Sequence, residues 1–161
     1  MRFSVICLSI FLLAAIEPST LSSLRQYYAE AQTKESSADK LIELTKGSSD
    51  ALMIAYNGAA HVFLANHYFN PYSKLTTLNT GLKSINQAVN SATEDVEIRF
   101  IRFSIEENIP GFVPFTSHIS NDKAFLLKKI SKQHSYFSTM KAYLLASASL
   151  SAQEKAIIKA L

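Results

Sequence analysis

The chain is poor in the residues that punctuate turns and in those that bind metals through sulfur. Among its 161 residues there are four glycines, four prolines, one cysteine and no tryptophan. A sandwich or barrel reverses direction every few residues and needs more glycine and proline than this, so an all-β fold is disfavoured. The one cysteine, Cys7, lies in an apolar run near the N-terminus. If that run is removed, no residue is left for a disulfide, a cysteine–zinc site or a cysteine nucleophile.

Neither sign of charge predominates: 16 lysines and arginines stand against 13 acidic residues. The formal net charge is +3, and no basic run of the kind that follows nucleic-acid phosphates occurs, so no nucleic-acid partner is expected. Lys128-Lys129 and Lys132 make a short basic turn and not a polybasic membrane patch. Long hydrophobic runs are also lacking apart from Phe3 to Ile16, which is shorter than the roughly twenty residues a spanning helix needs. Met1-Arg2 precedes it and Glu17-Pro18-Ser19-Thr20 ends it, the layout of a secretory signal peptide. The expected organisation is a signal peptide over 1–15, cleaved after Ala15, and a single helical domain over 16–161. The product would be periplasmic or secreted, with no stable membrane insertion.

What is present favours helices. Hydrophobic residues make up 48% of the chain, enough for a real core, and Ala, Leu, Lys, Glu and Ser dominate. Thr20 to Thr33 predicts a first helix with Leu21, Leu24, Tyr28 and Ala31 on one face. Ser36-Ser37-Ala38-Asp39 resembles a capping box with Asp in place of Glu, opening a short helix to Lys46 that Gly47 would end. Ser48-Ser49-Asp50 starts a helix to about Phe69, apolar on nearly every side, and Gly58-Ala59-Ala60 at its centre would let another helix approach closely. Asn70-Pro71 combines a capping side chain with a proline at the first helical position. The helix it opens runs to about Ser91, with Leu75, Leu78, Leu82, Ile85 and Val89 in one stripe.

Thr93-Glu94-Asp95 introduces a helix from Glu94 to Asn108, with Ile98, Ile101 and Ile105 on one face and Phe100 and Phe103 beside them. Ile109 to Ser120 is the longest break, and its apolar residues predict a loop packed back on the body. Ser120-Asn121-Asp122 is expected to cap a helix to about Gln133, and another is expected from Ser135 to Ala148. Ser151-Ala152-Gln153-Glu154 is a capping box for a final helix to Leu161. Helices joined by short turns predict an all-α fold of stacked antiparallel αα-hairpins.

Residues 50–107 carry a resemblance. Gly81, Ile85 and Ala88 have the small–large–small spacing of the second helix of a tetratricopeptide-type repeat, and Thr93-Glu94-Asp95 follows where that repeat turns. Tyr56-Asn57-Gly58 is similar to its first helix. The resemblance is to a degenerate tetratricopeptide-like hairpin protein and implies a short superhelical array that binds a protein or peptide in a groove. The run Glu97-Ile98-Arg99-Phe100-Ile101-Arg102-Phe103, followed by Glu106-Glu107-Asn108-Ile109-Pro110, also resembles uncharacterised exported helical proteins of Gram-negative bacteria. That likeness implies fold and compartment and supplies no activity.

Few residues point to chemistry. Asp50, Asn57 and His61 share one face of an otherwise apolar helix, either as a polar patch in a ligand groove or as interhelical hydrogen bonding. No two of His61, His67, His118 and His134 are three or four apart, so no helical face presents a metal pair, and neither metal nor cofactor is expected. Arg99 and Arg102 could clamp a carboxylate, or could pair locally with Asp95 and Glu106. Glu106 and Glu107 point about 100° apart and do not converge as an acid/base pair would. Neither a Gly-x-Ser-x-Gly elbow nor a phosphate-cradling glycine loop occurs. Tyr68, Phe69 and Tyr72, like Phe112 and Phe115, are expected to plug the ends of a helical core.

These residues predict an exported helical binding or scaffold module for a protein, peptide or envelope component, with Arg99, Arg102, His61 and Asn57 at its site. The alternatives are a small periplasmic enzyme using His61 with an acidic partner, and a structural subunit of an envelope complex.

Overall fold

A computed structural model describes residues 16–109 and 118–161. The expected signal segment with Cys7, and the loop residues Phe112 and Phe115, lie outside the described residues. Among those described there are eight helices and no strand, so the all-α expectation holds. They are α1 (Pro18–Ala31), α2 (Glu35–Thr45), α3 (Ala51–Ala65), α4 (Pro71–Ser91), α5 (Val96–Glu107), α6 (Ile119–Lys129), α7 (Phe137–Ala146) and α8 (Ala152–Ala160).

Local chemistry fixes several of the helix ends. Gly47 turns the chain after α2 with φ of +72°, a left-handed conformation open to glycine at no steric cost. The Asp50 carboxylate accepts from the Leu52 and Met53 amides at the start of α3. The Asn70 side chain does the same for Tyr72 and Ser73, with Pro71 opening α4. Asp95 accepts from the Ile98 amide, and both halves of the Ser151–Glu154 capping box form.

Several boundaries differ from expectation, three of them with consequences for the packing. Ser36 and Ser37 lie inside α2, which begins after Lys34; the buried Ser37 donates to the Glu30 carboxylate at 3.0 Å and so ties α2 to α1. Helix α3 stops at Ala65, four residues before Phe69. Tyr68, Phe69 and Tyr72 therefore sit around the turn and are exposed, Phe69 fully so, where core plugging was expected. Helix α6 starts at Ile119, which places Asp122 within its first turn and not at its cap.

The first four helices pack in consecutive pairs, and α3 against α4 is the most extensive contact. Its centre is a crossing of bare backbone: a Cβ on Gly58 would fall 2.6 Å from the Gly81 carbonyl oxygen. The small residues of the two helices thus permit the close approach that the sequence suggested. Two apolar cores result. One contains Leu24, Tyr28, Leu41, Tyr56, Ile85 and the three isoleucines of α5. The other contains Leu126, Met140, Leu144, Ile158 and the two phenylalanines of α5. Helix α5 therefore stands between them, with Ile98, Ile101 and Ile105 turned to one and Phe100 and Phe103 to the other.

Candidate functional site

Helix α5 buries charge as well as apolar surface. Removing an ion from water costs several kcal/mol unless it is paired and hydrogen-bonded. Each buried charge here is paired. Glu97, 2% exposed, accepts from Arg25 Nε and Nη2 at 2.8 and 2.6 Å, and from the Tyr56 hydroxyl at 2.5 Å. The hydrogen bond to Glu97 holds the Arg25 guanidinium above its usual pKa. Burial, reinforced by the Glu97 charge, pushes the Tyr56 phenol far up, so it stays a donor.

One turn along, Arg102 donates through Nε and Nη2 to the two oxygens of Asp122, at 2.7 and 2.8 Å, and through Nη1 to Asn86 at 3.0 Å. Arg99 reaches the same carboxylate at 2.7 Å while its guanidinium lies 4.5 Å from the centre of the Phe125 ring. Asp122 is fully buried. The two arginines thus clamp a carboxylate, as guanidinium chemistry suggests, and the carboxylate belongs to the chain. Their expected local partners are engaged elsewhere: Asp95 caps α5, and buried Glu106 accepts from the His118 amide at 3.0 Å and meets its Nδ1 at 2.7 Å. Glu107 accepts from Ser147 Oγ and the Ser149 amide. Helix α5 therefore grips α1, α3, α4 and α6, together with the loop between α7 and α8.

Arg25, Glu97 and Asp122 were not among the residues singled out from sequence. A signal for two of them existed. Glu97 lies four before Ile101, and Asp122 four before Leu126, so each acid falls on the buried face of its helix.

Asn57 and His61 lie elsewhere. Together with Thr45, Ile54, Ser84 and Gln87 they line a shallow groove of about 490 Å³, and neither arginine is among its lining residues. Asn57 donates to Thr45 Oγ1 at 2.9 Å, joining α3 to the end of α2. Burial pushes the His61 imidazole below its usual pKa, favouring the neutral ring. Among the described residues no carboxylate hydrogen-bonds His61. Among the described residues the carboxylate–imidazole hydrogen bond is that of Glu106 with His118, and His134 Nε2 lies 3.8 Å from Glu97.

A second cavity, of about 520 Å³, is of a different character. Its floor is apolar: Tyr28, Val62, Phe63 and Ile105 are buried there, and Leu75 and Leu78 of α4 form a wall. Those two leucines continue the stripe of Leu82, Ile85 and Val89. The last three meet the core, whereas Leu75 is 49% exposed and faces the cavity. The hydroxyls in the lining are already engaged. Tyr28 bonds Ser104 at 2.6 Å, and Tyr143 donates to the Ser104 carbonyl and accepts from Asn108. Burial raises both phenols well above their usual range. The exposed rim carries Gln32, Asn66, Asn108 and Lys74, and Lys74 is the only charged side chain among the lining residues.

Comparison of the chain with protein-family models, curated proteins and solved structures finds no match.

Proposed function

We propose that this chain is an exported binding module that takes the apolar part of an envelope component or partner into the cavity between α1, α3, α4, α5 and α7. The observation that carries the reading is the Leu75–Leu78 wall. An apolar stripe normally ends where its packing partner ends, and here it continues along a hollow floored by Phe63 and Ile105. Polar groups around that floor are bonded to one another, so a guest would meet apolar surface inside and amides at the mouth. A volume of about 520 Å³ falls within the roughly 300–1,000 Å³ of small-molecule pockets. This favours a compact guest over a whole partner helix.

The same reading places the protein in the periplasm or outside the cell, on the strength of the basic, then apolar, then polar layout of residues 1–20. It treats the α1–α4 pairs as tetratricopeptide-like hairpins, supported by the Gly58–Gly81 crossing and by consecutive packing. A neutral, environment-sensitive fluorophore such as N-phenylnaphthylamine tests the binding function. Saturable fluorescence enhancement by the purified chain, lost on heating through its unfolding transition, is expected. A signal that merely scales with concentration would end the reading. Fractionation of cells expressing the full chain tests the compartment, and recovery of the uncleaved chain in the cytoplasm would overturn export.

A further inference from the structure

Building on that binding reading, we infer that the cavity accepts a single-chain amphiphile with an anionic head, its tail on the Phe63–Ile105 floor and its head at Lys74. Three observations converge. The floor supplies apolar contact with no unpaired hydroxyl, because Tyr28, Ser104 and Tyr143 bond among themselves. Such a surface suits an alkyl tail and penalises a polar one, since burying a polar group without a partner costs free energy. The rim holds one charged group, Lys74, which makes no ion pair among the described residues. Pro71 and Lys74 also belong to the first turn of α4, a helix of 21 residues. That is the end at which aligned peptide dipoles present positive potential.

Apolar depth, a polar mouth and one positive site together match a linear carboxylate or a similar acid. An alkylammonium would be repelled at Lys74, and a neutral alcohol would gain the apolar contact alone. The exposed Asn66 amide at the mouth can hydrogen-bond the head without adding charge. A charge-assisted hydrogen bond is roughly twice as strong as a neutral one, so the head group should decide selectivity among equal tails.

The test uses three guests with the same tail, dodecanoate, dodecanol and dodecyltrimethylammonium, competing against bound N-phenylnaphthylamine at neutral pH and below their micelle-forming concentrations. Dodecanoate is expected to displace the probe at about tenfold lower concentration than dodecanol, with the ammonium weakest. Lys74→Gln should bring dodecanoate to the level of dodecanol, each read against that variant's own affinity for the neutral probe. Lys74→Glu should reverse the order of the two charged guests. Equal displacement by all three heads, or an unaltered ranking in Lys74→Gln, would overturn the inference while the apolar cavity stands. Failure of the neutral probe to bind at all would overturn the binding function and this inference together. Lys74 is exposed, so its replacement leaves the fold intact, and an unchanged far-UV spectrum and melting temperature confirm that.

Discussion

Gly58 and Gly81 meet backbone to backbone where α3 crosses α4, and neither position has room for a side chain. A Cβ on Gly58 would sit 2.6 Å from the Gly81 carbonyl oxygen, and one on Gly81 would sit 2.7 Å from the Val62 side chain and press on the Gly58 carbonyl as well. Alanine would ordinarily stabilise a helix interior relative to glycine by about 1 kcal/mol. Here the two helices must separate to admit it, and overpacking of this kind costs about 1–3 kcal/mol. Gly81→Ala is therefore expected to lower stability in urea despite its better helix propensity. An unchanged or raised midpoint would show that the crossing is looser than described.

The clamp on Asp122 makes a second prediction. Asp122→Asn leaves Arg99 and Arg102 facing each other across a buried site without their shared anion. Breaking a buried pair in this way costs about 3–5 kcal/mol, enough to unfold a marginal protein. Replacing all three residues together, Arg99→Met, Arg102→Met and Asp122→Leu, should be much milder, because the charges and their desolvation disappear at once. Thermal melts of the two variants check the order, and a triple variant less stable than Asp122→Asn would refute it.

Much of this architecture is legible in the sequence, and the part that is not has a common cause. Asn70-Pro71, Asp50, Gly47 and the Ser151–Glu154 box were readable because capping is decided within four residues of chain. The division of α5 into isoleucine and phenylalanine faces was readable from helical periodicity. The partner of Arg102 was not, because Asp122 lies 20 residues away and its neighbours Ser120 and Asn121 imitate a cap. The same holds for Arg25 with Glu97, separated by 72 residues. Local spacing favoured Asp95 and Glu106 as partners, yet one caps the helix and the other binds His118. The cavity was hidden for a related reason: Leu75 and Leu78 have the pattern of core residues, and only the tertiary arrangement shows Leu78 at the edge of the core and Leu75 half exposed, both lining a hollow. Of the four residues expected at the site, Asn57 and His61 share the polar groove, while Arg99 and Arg102 share Asp122.

Alkaline pH provides a test of the buried phenols. Tyr28, Tyr56, Tyr136 and Tyr143 all have raised pKa values, chiefly through burial, with Tyr136 at about 12. A phenol that ionises later in the folded state than in the unfolded one leaves stability whole below about pH 10. That contribution is lost as the pH climbs through the raised value. Part of the tyrosinate absorbance should therefore be withheld until the fold opens near or above pH 12, then appear together with loss of helicity. Smooth ionisation of every tyrosine before any loss of helix would contradict the buried placement. His61 gives the mirror image on the acid side. Its lowered pKa means that stability present above about pH 6.5 falls as the pH falls, and His61→Asn should flatten that limb of the curve.

The turn between α3 and α4 makes a prediction of no effect. Phe69 is fully exposed and Tyr72 79% exposed, so neither adds to the core. Phe69→Ser is expected to change stability by less than about 0.5 kcal/mol, as for other surface sites. A larger loss in a denaturant series would mean that the ring is covered after all and plugs the helix ends.

Filling the apolar cavity should separate stability from binding. Leu78 is half-buried on its wall, and enlarging it to Phe adds apolar surface to a hollow instead of to a packed core. Cavity filling of this kind commonly yields about 0.5–2 kcal/mol. Leu78→Phe is thus expected to raise the melting temperature by a few degrees and to weaken N-phenylnaphthylamine binding by about tenfold, the equivalent of 1.4 kcal/mol. The two changes must appear together, since both come from the same volume. A variant that gains stability yet binds the probe as before would place the guest elsewhere. One that loses both would show that the wall is already closely packed against its neighbours, and the hollow between α1, α3, α4, α5 and α7 would no longer be available as a binding site.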